Sequence, residues 1–222
     1  MKENFHAPDN EIKWIDLESW NRHHLFENYL GTDLPYIIIT ANIDVTGPLA
    51  FARKNKVSFN LVMVYICNLV MDSIENYRYR FIDGKPFVIG HIRPFVNHLL
   101  PGEDIFVIGE GPWPCDDMIE FCIKTHENQE SMTPVSSFDH MAGQLDIVNY
   151  TSIPWISYTG FVRTIKKDGV DCAPKISFGK YFTDKGRVLM PLSSQSHHGL
   201  MDGYHVGLFY ERVQEECRRL EI

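Results

Sequence analysis

The segment RVLMPLSSQSHHGLMDGYHV, from Arg187 to Val206, is the most informative stretch of the chain. Its β-prone beginning predicts a strand over 187–192, and apolar residues spaced as in Val206, Phe209 and Val213 predict an amphipathic helix after it. The bend between the two elements carries His197 and His198. A neutral imidazole held between rigid elements can accept a proton from an alcohol near neutral pH. Taken alone, however, the residues fit equally well a structural histidine pair before an ordinary helix N-cap at Asp202.

The residues on either side of this segment predict alternating helices and strands. Periodicity predicts helices at 18–29, 58–74 and 115–128 and further strands at 34–45, 77–81, 86–89, 95–100, 105–108, 146–150, 156–164 and 175–182. The turn sequence at Asp83-Gly84 predicts a hairpin, which we expect in the middle of the sheet. These elements predict an α/β fold: a two-layer sandwich of helices packed on a large mixed β-sheet, forming a single domain over 1–222.

Composition excludes several classes of function. The chain has 222 residues, 44% of them hydrophobic, and a net charge of −8 without a basic cluster, which argues against nucleic-acid binding. The amino terminus lacks a signal-peptide profile, and the longest apolar stretch, 61–71, is shorter than the ~20 residues that span a bilayer. Five cysteines without CxxC spacing predict inert thiols in the cytoplasm and no metal site. The phosphate-binding patterns GxGxxG and GxxxxGK[ST] are absent.

Three separated blocks carry a family resemblance. They are WNRHHLF (20–26), NYTSIPW (149–155) and a C-terminal block made of FGKYFT (178–183), Val188 to Leu192 and His197 to Val206. In this order they resemble the trimeric chloramphenicol acetyltransferases, from Trp20 to the C terminus. The resemblance implies a chloramphenicol-acetyltransferase-like fold and direct transfer of acetyl from acetyl-CoA to a hydroxyl of chloramphenicol, the reaction that inactivates this antibiotic. It also implies a homotrimer with active sites at the subunit interfaces.

The resemblance implies roles for four residues of the reaction centre. His198 matches the general base that removes the proton of the alcohol, whereas His197 is expected to be structural. Thr151 matches the hydroxyl donor to the developing oxyanion, where the family usually has serine, and is favoured over its neighbour Ser152. Asp202 and Arg22 match a buried ion pair that holds the loop in shape.

Other positions match binding residues of the family. Tyr29, Leu34, Phe138 and Phe161 correspond to the acceptor pocket, Ser177 to a hydroxyl that holds water near the oxyanion, and Lys180 and Tyr181 to the coenzyme A channel. Two positions depart from the pattern. Asn28 stands where an aromatic or small apolar residue is usual, and Arg163 replaces a leucine. Because an unpaired guanidinium facing an apolar ligand is costly, Arg163 either points away from the pocket or indicates a more polar acceptor.

Three alternatives remain open at the level of the sequence. An O-acyltransferase of the same fold could act on a different, more polar alcohol. The catalytic domain of a dihydrolipoyl acyltransferase shares the HxxxDG loop, but we expect that class to carry a lipoyl domain and an arginine where this chain has His198. A noncatalytic homologue could keep the fold and bind a ligand, although such proteins lose the base.

Overall fold

The computed structural model describes residues 10–165 and 171–221. Within these residues the strands are β1 (Ile12–Trp14), β2 (Tyr36–Asp44), β3 (Tyr79–Ile82), β4 (Lys85–Ile89), β5 (Arg93–Leu99), β6 (Phe106–Glu110), β7 (Ile147–Ile153), β8 (Lys175–Gly179), β9 (Phe182–Asp184) and β10 (Arg187–His197). The helices are α1 (His23–Leu30), α2 (Thr46–Asn55), α3 (Phe59–Asp72), α4 (Glu75–Arg78), α5 (Met118–Ser131), α6 (Pro134–Met141) and α7 (Gly203–Arg219). In these described ranges, no helix is long and apolar enough to cross a membrane.

One large sheet organises the molecule. Its strand order is β2-β10-β8-β7-β5-β6, and β9 pairs with the first residues of β10. The strand β7 runs parallel to both of its neighbours, β5 and β8, while the remaining neighbours are antiparallel. The sheet is therefore mixed, and with helices packed on it the predicted α/β fold is confirmed.

The core lies between this sheet and the helices α3 and α7. The helix α3 is apolar on nearly all sides, as a helix enclosed by protein should be, and its residues from Leu61 to Cys67 are buried. The helix α7 buries one face through Val206, Phe209, Val213 and Cys217. Each large apolar side chain removed from water contributes about 1.5–3 kcal/mol. The core therefore holds β10 and α7 rigidly on the two sides of the loop that carries His198.

The predicted strand at 156–164 is wrong. This segment has no strand structure; it crosses the face of the sheet that points away from α3 and α7. It is attached there by scattered bonds: the Tyr158 hydroxyl donates to the Ser177 carbonyl (2.8 Å), and the Ser193 hydroxyl donates to the Phe161 carbonyl (3.2 Å). Its β-branched and aromatic residues cover a sheet face instead of pairing along a strand, a distinction that composition does not reveal.

The hairpin at Asp83-Gly84 forms as predicted, but its expected place in the middle of the large sheet is wrong. Its strands, β3 and β4, join β1 in a separate three-stranded sheet. Phe81 of this hairpin packs edge-on against Phe26 of α1, with ring centroids 5.4 Å apart. The turn sequence specifies the hairpin, whereas the sheet it joins depends on distant partners.

Several boundaries differ from the predicted ones. The first helix begins at His23, not near residue 18, and the predicted strand at 175–182 is split into β8 and β9 around Lys180. The helices α2, α4 and α6 and the short strand β1 were not predicted. In α2 the sequence Gly47-Pro48 lies in the first helical turn, where proline is tolerated because that N–H has no partner within the helix.

The prediction of inert thiols agrees with their surroundings. All five cysteines are free, four of them buried, and Cys115 is partly exposed. Burial raises the pKa of the Cys122 and Cys217 thiols to about 12, so both stay protonated near neutral pH. A protonated thiol is neither a good nucleophile nor a metal ligand.

Candidate active site

The strand β10 extends five residues beyond its predicted end, and this extension places the histidine pair. Its last residue, His197, pairs with Tyr36 of β2, and the next residue, His198, donates its backbone N–H to the Pro35 carbonyl at 2.7 Å. His197 is buried, and its Nδ1 accepts the Gly199 N–H at 3.2 Å. A Cβ added at Gly199 would lie 3.1 Å from the His197 ring, so a side chain there would crowd the loop.

An ion pair fixes the loop that follows. The guanidinium of Arg22 donates to both carboxylate oxygens of Asp202, at 2.6 and 3.2 Å, and also to the carbonyls of His198 and Gly199, each at 3.4 Å. The Arg22 side chain is 8% exposed and that of Asp202 is 34% exposed. The bond from Arg22 holds the pKa of Asp202 below its ordinary value. One guanidinium thus ties α1 to His198, Gly199 and Asp202 in the loop between β10 and α7.

The start of α7 is fixed by a second histidine. The backbone N–H of Asp202 donates to Nδ1 of His205 at 3.1 Å. Burial lowers the pKa of His205, which favours the neutral imidazole that can accept this bond. His205 therefore positions the loop through its bond to the Asp202 backbone. Asp202 serves both as the N-cap residue of α7 and as the ion-pair partner of Arg22.

The ring of His198, the predicted general base, lies in this loop. It stacks on Tyr29 with a centroid separation of 4.2 Å and an interplanar angle of 10°. Its Nδ1 is enclosed by protein, without a hydrogen-bond partner among the described residues, 3.6 Å from Asp202 Oδ1. The side chain as a whole is 27% exposed. Since Nδ1 is enclosed, Nε2 is the ring nitrogen left to meet a ligand.

A row of polar side chains crosses the sheet on the face that points away from α3 and α7. The strand register aligns Thr40, Ser193, Ser177 and Thr151 in one row, and Asn97 of β5 completes it. The Thr40 and Ser193 hydroxyls are 2.6 Å apart, and Asn97 Nδ2 donates to Thr151 Oγ1 at 3.1 Å. Ser177 is buried between its neighbours. Because Oγ1 accepts from Asn97, the hydroxyl hydrogen of Thr151 is left to donate elsewhere.

Sequence reasoning missed Asn97. The residue lies inside a predicted strand, and its role depends on its neighbour across the sheet, 54 positions away along the chain. Its only local signal is a polar amide within the apolar run from Phe95 to Leu100.

The loop that carries His198 and the polar row that includes Thr151 lie far apart within one chain. Along β10, His198 follows Ser193 by five residues, which is about 16 Å of extended strand. Across the sheet, Ser193 and Thr151 are separated by two strand spacings, about 10 Å. The backbones of His198 and Thr151 are therefore about 19 Å apart, too far for both side chains to contact one reacting carbonyl. A single copy of the chain does not bring these two predicted residues together.

A cavity of about 330 Å³ lies between α3 and the sheet, and Ser152 of β7 is part of its lining. Its walls are mostly apolar, with Phe59 and Met63 of α3 on one side and Phe178 and Met190 on the other. Both residues predicted for coenzyme A, Lys180 and Tyr181, line it. Lys180 is exposed, whereas Tyr181 is 42% exposed and packs edge-on against Phe59 with centroids 5.7 Å apart.

The predicted acceptor-pocket residues fall into separate places. Tyr29 lies against His198, and Leu34 is 66% exposed just before Pro35, which accepts the His198 N–H. Phe161 packs on Tyr158 over the polar row, and Phe138 is exposed on α6. Asn28 is exposed on α1.

The orientation of Arg163 resolves one question left by the sequence. Its guanidinium donates to the backbone carbonyl of Asn149 at 2.7 Å and to the Asn149 side-chain oxygen, and its backbone N–H donates to Gln195. Burial lowers the pKa of Arg163 to about 10, so it remains charged near neutral pH. The charge is thus engaged by the sheet and does not point unpaired at an acceptor.

Comparisons with known proteins agree on one family. The chloramphenicol acetyltransferase family model matches residues 10–214. A chloramphenicol acetyltransferase of Clostridium perfringens is 29% identical over 211 residues, covering 93% of this chain and 95% of the relative. One of Escherichia coli is 25% identical over 206 residues, covering 91% and 92%.

Solved structures share the fold. A chloramphenicol acetyltransferase superposes with a TM-score of 0.85 at 22% identity, covering 92% of this chain and 99% of that chain. The dihydrolipoamide acetyltransferase of Azotobacter vinelandii gives 0.66 at 16% identity, covering 91% and 88%. At these identities the likeness concerns the fold alone.

Proposed function

The chain belongs to the chloramphenicol acetyltransferase family and is an acyltransferase, and from this premise we propose that it transfers acetyl from acetyl-CoA to a hydroxyl of chloramphenicol. The observation that carries the proposal is the His198 ring, stacked on Tyr29 and carried by a loop that Arg22 and Asp202 fix. The loop holds an imidazole in a defined, partly exposed position, as a general base requires.

In the proposed reaction, the alcohol oxygen attacks the thioester carbonyl carbon while Nε2 of His198 takes the hydroxyl proton. The carbonyl π-electrons move to oxygen and form a tetrahedral oxyanion. Collapse of this intermediate breaks the carbon–sulfur bond, and the proton on His198 passes to the departing sulfur. The products are the acetyl ester and coenzyme A, and no acetyl-enzyme forms. The base contributes about 10²–10⁴ in rate.

Thr151 is the proposed donor to the oxyanion. Its support is the bond from Asn97, which occupies an acceptor lone pair of Oγ1 and leaves the hydroxyl hydrogen free to point at a ligand. The buried hydroxyl of Ser177, next to Thr151 in the row, can hold a water molecule there. Threonine in place of the more usual serine keeps the donor and adds a methyl group that restricts its rotation.

Because His198 and Thr151 of one chain are about 19 Å apart, we place the active site between two copies. In this arrangement His198 of one subunit faces Thr151 of its neighbour. A closed ring of three such contacts gives a homotrimer with three equivalent sites. The exposed apolar side chains of Leu34 and Phe138 fit this arrangement, since a neighbouring subunit or the acceptor would cover them.

Acetyl-CoA is proposed to enter through the cavity beside Lys180 and Tyr181. The apolar walls suit the thin pantetheine arm, the exposed ammonium of Lys180 suits a phosphate, and the ring of Tyr181 offers a face for the adenine. Ser152, the neighbour of Thr151 on β7, lines this cavity, so a thioester bound there would lie close to the strand that carries the proposed oxyanion donor.

The identity of the acceptor alcohol is tested with the purified protein, acetyl-CoA and a thiol reagent that measures coenzyme A release. Chloramphenicol should give His198-dependent release, and a panel of more polar alcohols should give less. The control variant is His24→Ala, an exposed histidine on α1 outside the proposed site. Faster turnover of a polar alcohol would keep the reaction type and replace the acceptor, and no turnover of any alcohol would favour a noncatalytic homologue.

A further inference from the structure

A cluster of metal-ligating side chains lies outside the proposed active site. It consists of His98 on β5 and His126 and Glu130 on α5, and their ligand atoms lie within 4.8 Å of one another. His126 and Glu130 are four residues apart on a helix and therefore share one face. Cysteine spacing predicts no metal site, and these three residues give no local signal because up to 32 positions separate them along the chain.

The geometry at His98 indicates a metal ligand. Its Nε2 is enclosed by protein and lacks a hydrogen-bond partner among the described residues, although Glu130 Oε1 is only 3.3 Å away. The contact therefore lacks the geometry of a hydrogen bond. The ring of His126 lies edge-on to that of His98, with centroids 5.9 Å apart. Two imidazole nitrogens and a carboxylate oxygen thus converge on one point at the protein surface.

The elements carrying these ligands are held rigidly together. Between His126 and Glu130 on the helix, Gln129 donates to the Val96 carbonyl of β5 at 3.3 Å. Asn128 accepts the backbone N–H of Glu110 at 2.7 Å, which ties the same turn of α5 to β6. The backbone positions of the three ligands are therefore fixed, and only side-chain rotations are needed to bind a cation.

We propose that His98, His126 and Glu130 bind a first-row divalent cation, Zn²⁺ in the first instance, as a clamp between β5 and α5. Imidazole nitrogens and a carboxylate are typical zinc ligands at about 2.0–2.2 Å from the metal, and three such ligands leave a fourth position for water. Tetrahedral ligands lie roughly 3.4 Å apart at these bond lengths, so small rotations of the exposed His126 and Glu130 would close the site. The hard cations Mg²⁺ and Ca²⁺, which prefer oxygen ligands, should bind poorly.

The test uses full-length protein stripped with chelator and titrated with Co²⁺, whose visible absorption reports nitrogen coordination in a site of low symmetry. We expect saturable binding with a spectrum displaced by Zn²⁺ and a higher unfolding temperature with Zn²⁺ but not with Mg²⁺. His126→Gln and Glu130→Gln should each weaken Co²⁺ binding by at least about tenfold. The control Glu127→Gln removes the same charge as Glu130→Gln from an exposed position on the same helix. It should leave Co²⁺ affinity and the effect of Zn²⁺ on the unfolding temperature unchanged.

Two results would overturn the proposal. The first is the absence of a Co²⁺ spectrum in the unaltered protein, which would leave His98 and Glu130 as an ordinary ion pair. The second is equal Co²⁺ affinity in the His126, Glu130 and Glu127 variants, which would assign the binding to other surface residues. None of these readouts depends on acyl transfer.

Discussion

Replacing Asp202 by asparagine tests whether the ion pair with Arg22 holds the catalytic loop. The substitution keeps the shape of the side chain and removes its charge, so the Arg22 guanidinium, 8% exposed, loses its anionic partner. Breaking a buried pair costs about 3–5 kcal/mol. Asp202 itself is 34% exposed and partly screened by water, and Arg22 keeps its bonds to two carbonyls. We therefore expect a loss of about 2–3 kcal/mol in the free energy of unfolding.

The assay is urea unfolding at fixed protein concentration, because subunit association would otherwise shift the midpoint. Asp184→Asn serves as control, since it removes an exposed carboxylate from β9. The double variant Arg22→Met with Asp202→Asn should recover part of the loss, because it leaves no unpaired buried charge. A stability within about 0.5 kcal/mol of the unaltered protein would refute the reasoning, since that is the range of ordinary surface substitutions.

The same variant has an expected pH dependence. Arg22 holds the pKa of Asp202 below its ordinary value of 3.8, so the pair stabilises the folded protein fully above about pH 5. As the pH falls below 3.8 and through the lower folded pKa, the native carboxylate is protonated and this stabilisation is lost. The difference between the unaltered protein and Asp202→Asn should be constant above about pH 5 and shrink below about pH 4.

Substitutions at three further positions test the other parts of the site. Thr151→Ser should keep most of kcat, and Thr151→Ala should lower it about 10²–10³-fold, because only the hydroxyl is required; equal rates would remove Thr151 from the mechanism. Asn97→Leu should lower kcat by about tenfold with little change in KM for acetyl-CoA, because it releases the Thr151 hydroxyl; a change in KM alone would argue against positioning. Tyr181→Ala should raise KM for acetyl-CoA and leave kcat nearly unchanged, with Tyr181→Phe as control; an unchanged KM would contradict the cofactor channel.

Local features of the fold were predictable from the sequence. The apolar helix α3, the Asp83-Gly84 turn and the amphipathic α7 each follow from residues close together in the chain. The ion pair between Arg22 and Asp202 joins distant segments, and only the family resemblance indicated it. The structure then supplied its geometry.

What could not be predicted depends on pairing between distant strands. Neither the sheet that the hairpin joins nor the irregular course of segment 156–164 has a local signal, because β-prone residues pack as well on a sheet face as within a sheet. The contact between Asn97 and Thr151 and the separation of Thr151 from His198 both follow from the order β10-β8-β7-β5. No local pattern encodes that order.

The most direct measurement is the activity of mixed oligomers made from two inactive variants, His198→Ala and Thr151→Ala. Each variant alone should be inactive yet folded. Co-expressed in equal amounts, they should regain about a quarter of the unaltered activity, since a random ring pairs an intact His198 with an intact neighbouring Thr151 at one site in four. Mixed oligomers as inactive as the separate variants would contradict a site shared between copies.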